Sequence, residues 1–307
     1  MHYSVMLKEV INYLNLKDTG TYVDCTMGYA GHTSEILKRV KRGFIFAFDQ
    51  DINAINYSID KLSQIGSNFE VIKSNFLYMK DELIKRDIKG VDGILFDLGV
   101  SSPQLDNKDR GFSYRFDSRL DMRMDLDNKL SAYEVVNEYS EKDLAKIIFT
   151  YGEEKFAKNI AKNIVKERQN KKIETTFELL EIIKKSIPLK KQFEKNPATK
   201  TFQAIRIEVN HELAILEESL KNALDMLSIG GRVVVITFHS LEDRIVKNVF
   251  KEVTQVDKLV KGLPEIPDEY LPKFKLVNEK VILPSDEELK ENTRSHSSKL
   301  RVIERIR

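Results

Sequence analysis

The sequence predicts an α/β protein: a parallel, Rossmann-like sheet interrupted by an inserted helical segment. Short apolar runs such as Phe44-Ile-Phe-Ala-Phe48 and Gly93-Ile-Leu-Phe96 recur early in the chain, as strands buried on both faces require. Helical spacing lies between them, with Ile52, Ile55 and Ile59 on one stripe from Asp51 to Gln64. After Asp97 the alternation gives way to a long polar, Lys-rich, helical stretch and returns only at Val233-Val-Val-Ile236.

In chain order, strands are expected at Tyr22–Cys25, Phe44–Phe48, Phe69–Ile72 and Gly93–Phe96. Between the first two lies a loop carrying Gly28 and Gly31, then a helix from about Thr33. Glycine lets backbone approach a ligand closely and tolerates positive φ. Asp49 closes the second strand, where an acidic side chain can accept both hydroxyls of a ribose. The loop reads GxxGH and lacks the GxGxxG that wraps a pyrophosphate. A nucleoside cofactor without phosphate therefore fits best, and S-adenosylmethionine is the obvious one; a dinucleotide dehydrogenase is disfavoured.

The second half begins with one long predicted helix, Ile205, Val209, Leu213, Leu216, Leu220, Leu224 and Leu227, stopped by Gly230-Gly231. Ser240-Leu-Glu-Asp243 reads as a capping-box helix start after the Val233–Ile236 strand. Lys280–Leu283 and Leu300–Ile306 are expected to finish the sheet. The domain reading is residues 1–105 and 206–307 for the sheet domain and 106–205 for an inserted helical domain.

Composition narrows the function classes. The 307 residues suffice for about two domains. A single cysteine excludes an intrachain disulfide and a multi-cysteine zinc site, and no metal is expected. There is no secretory h-region and no long apolar run, so a cytoplasmic protein without membrane contact is expected. The net charge of +2 hides segregation: Tyr151–Lys172 holds seven basic against three acidic residues, and Lys184–Arg206 seven against one. The tail Thr293–Arg307 holds five against one. Clusters like these suit a phosphate backbone; a solvated Lys-rich helix face is the bland alternative for any one of them.

Candidate RNA contacts are Lys158, Lys162 and Lys166 on one predicted helix stripe, Arg294 in the tail, and Arg110 and Arg115 in RGFSYRFDSRLDMRMD. That run interleaves arginines with Phe112, Tyr114 and Phe116, residue types that pair with phosphates and stack on bases. Asp117, Asp121 and Asp125 alternate through it, so an internally paired loop is an equal reading.

Chemistry is expected at the carboxyl ends of the strands, where open α/β sheets bind ligands. Ser101-Ser102-Pro103-Gln104 loosely resembles the short polar–Pro segment used by enzymes that methylate exocyclic amines. Acceptors there can localise a delocalised amine lone pair and aim it at a methyl group. Methylation at carbon 5 of a pyrimidine needs a nucleophilic cysteine, and Cys25 is expected to be a small buried residue. The weak catalytic candidates are Ser102 and His239, and His239 reads equally well as structural.

With these motifs together, the chain resembles, from end to end, the bacterial 16S ribosomal RNA cytosine-N4 methyltransferase family. The matching stretches are HYSVMLKEVI (from His2), DCTMGYAGHTSEIL (from Asp24), AFDQD (from Ala47) and FDLGVSSPQLD (from Phe96). RGFSYRFDSRLDMRMD (from Arg110), FQAIRIEVNHEL (from Phe202), ITFHSLEDRIVK (from Ile236) and TRSHSSKLRVIER (from Thr293) complete them. The resemblance implies a class I S-adenosylmethionine-dependent methyltransferase fold with a helical insertion. It implies methylation of a cytosine N4 in the decoding region of 16S rRNA, within the small ribosomal subunit. It also implies a cofactor site of Ala30, Gly31 and His32, with Asp49 on the ribose, Phe76 flanking the adenine, and Asp97 and Gln104 completing it. Where the family usually carries Gly-Pro, this chain has Ser118-Arg119. A non-catalytic small-subunit assembly factor that binds rRNA is the rival reading, and a homodimer is left open.

Overall fold

In the computed structural model, residues 4–192, 196–256, 260 and 265–307 are described; His2, Tyr3, Glu194 and Lys195, which belong to stretches singled out above, lie outside them. The chain forms two compact units, residues 1–99 with 214–307, and residues 100–213.

The first unit is a seven-stranded sheet. Its strands are β1 (Thr21–Asp24), β2 (Phe44–Asp49), β3 (Phe69–Lys73), β4 (Val91–Asp97), β5 (Leu227–Thr237), β6 (Phe274–Leu276) and β7 (Lys299–Arg305), in the order β3-β2-β1-β4-β5-β7-β6. The first five run parallel; β7 is antiparallel to β5, and β6 antiparallel to β7. The helices of the chain are α1 (Leu7–Leu14), α2 (Gly31–Leu37), α3 (Ile52–Ser63), α4 (Met79–Ile84), α5 (Ser102–Asp106), α6 (Ala132–Glu138) and α7 (Glu141–Gly152). They continue with α8 (Ala157–Asn170), α9 (Thr176–Ser186), α10 (Leu189–Gln192), α11 (Ala198–Asn210), α12 (Glu212–Met226), α13 (Ser240–Thr254) and α14 (Asp286–Glu291).

Strand side chains alternate between two cores, as the twofold period of a strand demands. Val23, Phe46, Phe48, Ile94, Phe96, Val233 and Val235 join one core with Leu220 of α12 and Phe250 of α13. Tyr22, Ile45, Ala47, Leu95, Val234 and Ile236 join the other with Val10 of α1, Ile36 of α2 and Ile55 of α3. This two-sided burial is why the strands read as unbroken apolar runs.

Four sequence expectations are corrected here. The sheet is mixed, because its last two strands are antiparallel. Lys280–Leu283 is not a strand; only Ile282 pairs, as an isolated bridge to Leu300, and β6 lies earlier at Phe274–Leu276. Gly230-Gly231 does not stop a helix but lies inside β5, opposite the register shift between Val91 and Gly93. A Cβ at Gly231 would sit 2.8 Å from the Ser228 carbonyl and 3.0 Å from that of Val91, which accounts for glycine there. Finally, the long helix breaks at His211, which is left-handed at φ 52°.

That break has local causes. Asn210 Nδ2 donates to the Met122 carbonyl, and its Oδ1 accepts from Met124 N–H. Arg206 forms a two-pronged ion pair with Glu212 across the break. The α11 residues Phe202, Ile205 and Val209 belong to the core of the helical unit, with Leu144, Ile148, Ile160 and Ile164. The unit boundaries therefore fall at Gly99/Val100 and Leu213/Ala214, wider than the 106–205 expected.

Candidate cofactor site and nucleic-acid surface

β1 pairs with β2 on one side and β4 on the other, which makes the carboxyl ends of β1 and β4 the switch point of the sheet. The loop after β1 is shaped by two left-handed residues, Gly28 (φ 51°) and Ala30 (φ 53°), the latter heading α2. Gly31 is not in that region. A Cβ there would fall 1.8 Å from Ser4 Oγ, so its smallness accommodates the N-terminal segment of the chain.

Carboxylates ring this edge. Asp24, buried at the end of β1, accepts from Thr33 Oγ1 (2.7 Å) and Thr26 N–H (3.1 Å). Burial raises its pKa to about 6 against those hydrogen bonds. Asp49, at the end of β2, accepts from Gly28 N–H (2.7 Å) and Asp51 N–H (2.8 Å). It therefore ties the glycine loop to β2, a role beyond the ribose contact expected from sequence. Its pKa is also raised to about 6, chiefly by burial.

Asp97 ends β4. Its N–H donates to Thr26 Oγ1 (2.7 Å). Its Oδ1 is buried and has no hydrogen-bond partner among the described residues. Burial first, then the charges of Asp24, Glu242 and Glu288, push its carboxyl well above the usual range. His32 Nδ1 lies 3.5 Å from Asp97 Oδ2, while its Nε2 is 3.0 Å from the Val5 carbonyl. A carbonyl can only accept, so Nε2 carries the proton. Burial lowers the His32 pKa to about 4.

Phe76 follows β3 in a short 3-10 turn (Phe76–Tyr78) started by Asn75, and meets Phe96 edge-on at 5.6 Å. It is only partly buried, leaving ring surface at the edge. His239 caps α13: its Nδ1 accepts from Glu242 N–H (3.4 Å), and Glu242 Oε2 accepts from Phe238 N–H (2.8 Å). The capping box thus starts one residue earlier than Ser240. The imidazole is committed to the helix end, and its Nε2 lies 3.1 Å from Glu242 Oε1 without hydrogen-bond alignment.

These residues fit a cationic nucleoside. Asp49 ends β2 beside the glycine loop, Phe76 leaves part of its ring exposed, and Asp97 presents an unpartnered buried oxygen among further carboxylates. Asp24, Glu242 and Glu288, whose charges act on Asp97, were not singled out in the sequence. Asp24 was visible in DCTMG as a strand-end acid; Glu288 gives no local signal.

Ser102 and Gln104 belong to the helical unit. Ser102 opens α5, and Gln104 is buried in a capping box, its Oε1 accepting from Ser101 N–H (3.0 Å). The structure thus gives Gln104 a local helix-starting role beside the one implied by resemblance.

The arginine–aromatic run divides. Arg110 is buried, its Nη2 donating to the carbonyls of Arg123 (2.8 Å) and Met124 (3.2 Å), so its assignment as an RNA contact is corrected. Arg123 chelates Asp121 and reaches the carbonyls of Leu126 and Asn128. Phe112 is buried and Tyr114 stacks edge-on against Phe202 at 5.5 Å, so these rings serve packing. Arg115 and Arg119 are exposed. On α8, Lys158, Lys162 and Lys166 are exposed opposite buried Ile160, Ala161 and Ile164. Arg168, counted in the same cluster, instead donates to the Val136 and Tyr139 carbonyls. Arg294, in the α/β unit, is half-buried. No metal-binding cluster and no helix long and apolar enough to cross a membrane occur among the described residues.

The sheet order and its acid-lined glycine loop define an α/β methyltransferase. Residues 1–306 match the MraW methylase family, and the chain belongs to that family. It is 53% identical, over 307 residues, to the ribosomal RNA small subunit methyltransferase H of Exiguobacterium sibiricum, spanning 100% of this chain and 98% of that protein. Among solved structures it is similar to an rRNA methylase from Streptococcus thermophilus, at 12% identity and TM-score 0.45, covering 98% of this chain and 94% of the other. It is also similar to a SAM-dependent O-methyltransferase from Thermotoga maritima, at 8% identity and TM-score 0.42, covering 98% and 64%.

Proposed function

We propose that this protein transfers a methyl group from S-adenosylmethionine to the exocyclic N4 of a cytosine in 16S ribosomal RNA, with the small ribosomal subunit presenting the base, in the cytoplasm. The observation that carries the reading is the acid-lined edge at the switch point. When bound, the cofactor supplies a methyl group on a positively charged sulfur. Asp49 would accept the ribose hydroxyls while keeping Gly28 in register, and Phe76 would flank the adenine. Asp97 would offer its unpartnered oxygen to the charged end.

The RNA assignment is supported by full-length likeness to a relative named for small-subunit rRNA methylation. Exposed Lys158, Lys162, Lys166 and Arg115 suit a phosphate backbone. The choice of nitrogen over ring carbon is supported by Cys25. It is the only cysteine, it is buried, and its thiol is pushed well above the ordinary value by burial and by Asp24. Such a thiol does not supply the thiolate that carbon-5 chemistry requires.

The test is methyl transfer from labelled S-adenosylmethionine to small subunits lacking the modification, with the nucleoside identified by mass spectrometry. N4-methylcytidine is expected. Transfer to carbon 5, or cofactor binding without transfer to any subunit or RNA, would contradict the proposal.

A further inference from the structure

A place in the cofactor loop does not by itself account for the surroundings of the His32 side chain, which is buried. His32 is wedged between the Val5 carbonyl and Asp97, with its ring 5% exposed. With Nε2–H committed to Val5, Nδ1 carries the lone pair, and it lies 3.5 Å from Asp97 Oδ2. Two lone pairs at that distance repel, so one proton belongs between them. If it sits on Asp97, both groups are neutral; if it sits on Nδ1, they form an ion pair; if it leaves, the pair carries one negative charge.

The surroundings make that proton costly to lose. Asp97 is faced by Asp24 from β1, by Glu242 from α13 and by Glu288 from α14, and His32 faces it from α2. Asp24 in turn feels Asp49 from β2. Glu288 Oε1 accepts from Met6 N–H (2.6 Å), so the N-terminal segment that contacts His32 also holds one of these carboxylates. Release of the proton is favoured only when a positive charge arrives.

S-adenosylmethionine and its product differ at one place in charge: the sulfonium is positive and the thioether neutral. We propose, resting on the cofactor reading above, that His32 and Asp97 form a proton-exchanging pair that distinguishes the cationic cofactor from its neutral product. Cation binding expels one proton to solvent; once the methyl group has left, the pair takes up a proton again and the product is held less tightly. His32 is a positioning residue in this scheme, acting through Asp97. The high proton affinity of Asp97 and the low one of His32 agree with a proton resting on the carboxyl.

Calorimetry on the full-length protein tests this, using S-adenosylmethionine and S-adenosylhomocysteine at several pH values from about 6 to about 8, above the ordinary carboxylate range. The preference for the cationic ligand should rise with pH by up to about tenfold per unit, the slope of one released proton. The shared amino-acid and nucleoside parts cancel in that ratio. Repetition in buffers of different ionisation enthalpy should show proton release for the cation and none for the product. In His32→Gln, which removes the Nδ1 lone pair that favours the shared proton, the rising limb should move to lower pH; in Asp97→Asn the ratio should be flat. A wild-type ratio independent of pH, or a His32→Gln variant that weakens both ligands equally at every pH, would overturn the pair. Failure of the wild-type protein to bind either ligand would instead overturn the cofactor reading beneath it.

Discussion

Buried and half-buried polar groups have different fates in the two units. In the α/β unit, Asp24, Asp49, Asp97 and His32 come together at one sheet edge, with proton affinities displaced by burial and an oxygen left unpartnered. In the helical unit, Arg110, Arg168, Asn137 and Asn210 bind backbone carbonyls and hold loops and helix ends in place. What that unit offers a partner is surface charge on α8 and at Arg115. Displaced proton affinities mark functional edges more reliably than burial alone. Substitutions should accordingly act abruptly in one unit and gradually in the other.

The largest effect is expected at Asp49. Asp49→Ala removes the ribose acceptor and the anchor of Gly28 together. With charged hydrogen bonds contributing about 1.5–3 kcal/mol each, S-adenosylmethionine affinity should fall by about a hundredfold or more. Unchanged affinity by calorimetry would sink the cofactor assignment.

Arg110→Ala comes next and separates packing from recognition. Loss of the buried guanidinium strands the carbonyls of Arg123 and Met124, so denaturant unfolding should show a loss of about 1–3 kcal/mol. Unchanged stability with weakened RNA binding would return Arg110 to the RNA surface.

The titration of the α/β edge should be visible in stability. Asp24 and Asp49 have folded-state pKa values raised to about 6. The folded state therefore binds more protons than the unfolded one between about pH 4 and pH 6. Their contribution favours folding at low pH and is lost as pH rises through about 6. His32 works oppositely, its folded value being lowered to about 4, so its contribution is lost as pH falls from about 6.5 toward 4. Asp24→Asn should remove part of the carboxylate trend. A melting-temperature profile identical to wild type would show that Asp24 titrates normally.

The smallest effect on the fold belongs to the α8 stripe. Lys158, Lys162 and Lys166 changed together to Ala should leave stability within about 0.5 kcal/mol per site. RNA binding should weaken, with a salt slope shallower by up to about 2–3. An unchanged slope would make the stripe solvated surface.

Much of this was legible in the sequence where one physical requirement dominates. Strands buried on both faces must be apolar throughout, so β2 and β4 stood out. The loop after β1 and the acid that ends β2 were legible from GxxGH and from the apolar run that stops at Asp49. The break at His211 was not legible, because Leu213 and Leu216 continue the apolar spacing of α11. The contacts that break it come from Met122 and Met124, far away in sequence. Arg110 was misassigned because an arginine among aromatics reads the same facing inward or outward. His239 was hidden as a cap because imidazole is a less familiar acceptor than the hydroxyl of Ser240. Glu288 reaches the edge only through the fold.

The most direct test of the division between the units is amide hydrogen exchange with each ligand in turn. S-adenosylmethionine should slow exchange in residues 25–31 after β1, and small-subunit RNA should slow it around Arg115 and along α8. Absence of cofactor protection in residues 25–31, or RNA protection confined to the α/β unit, would contradict the account.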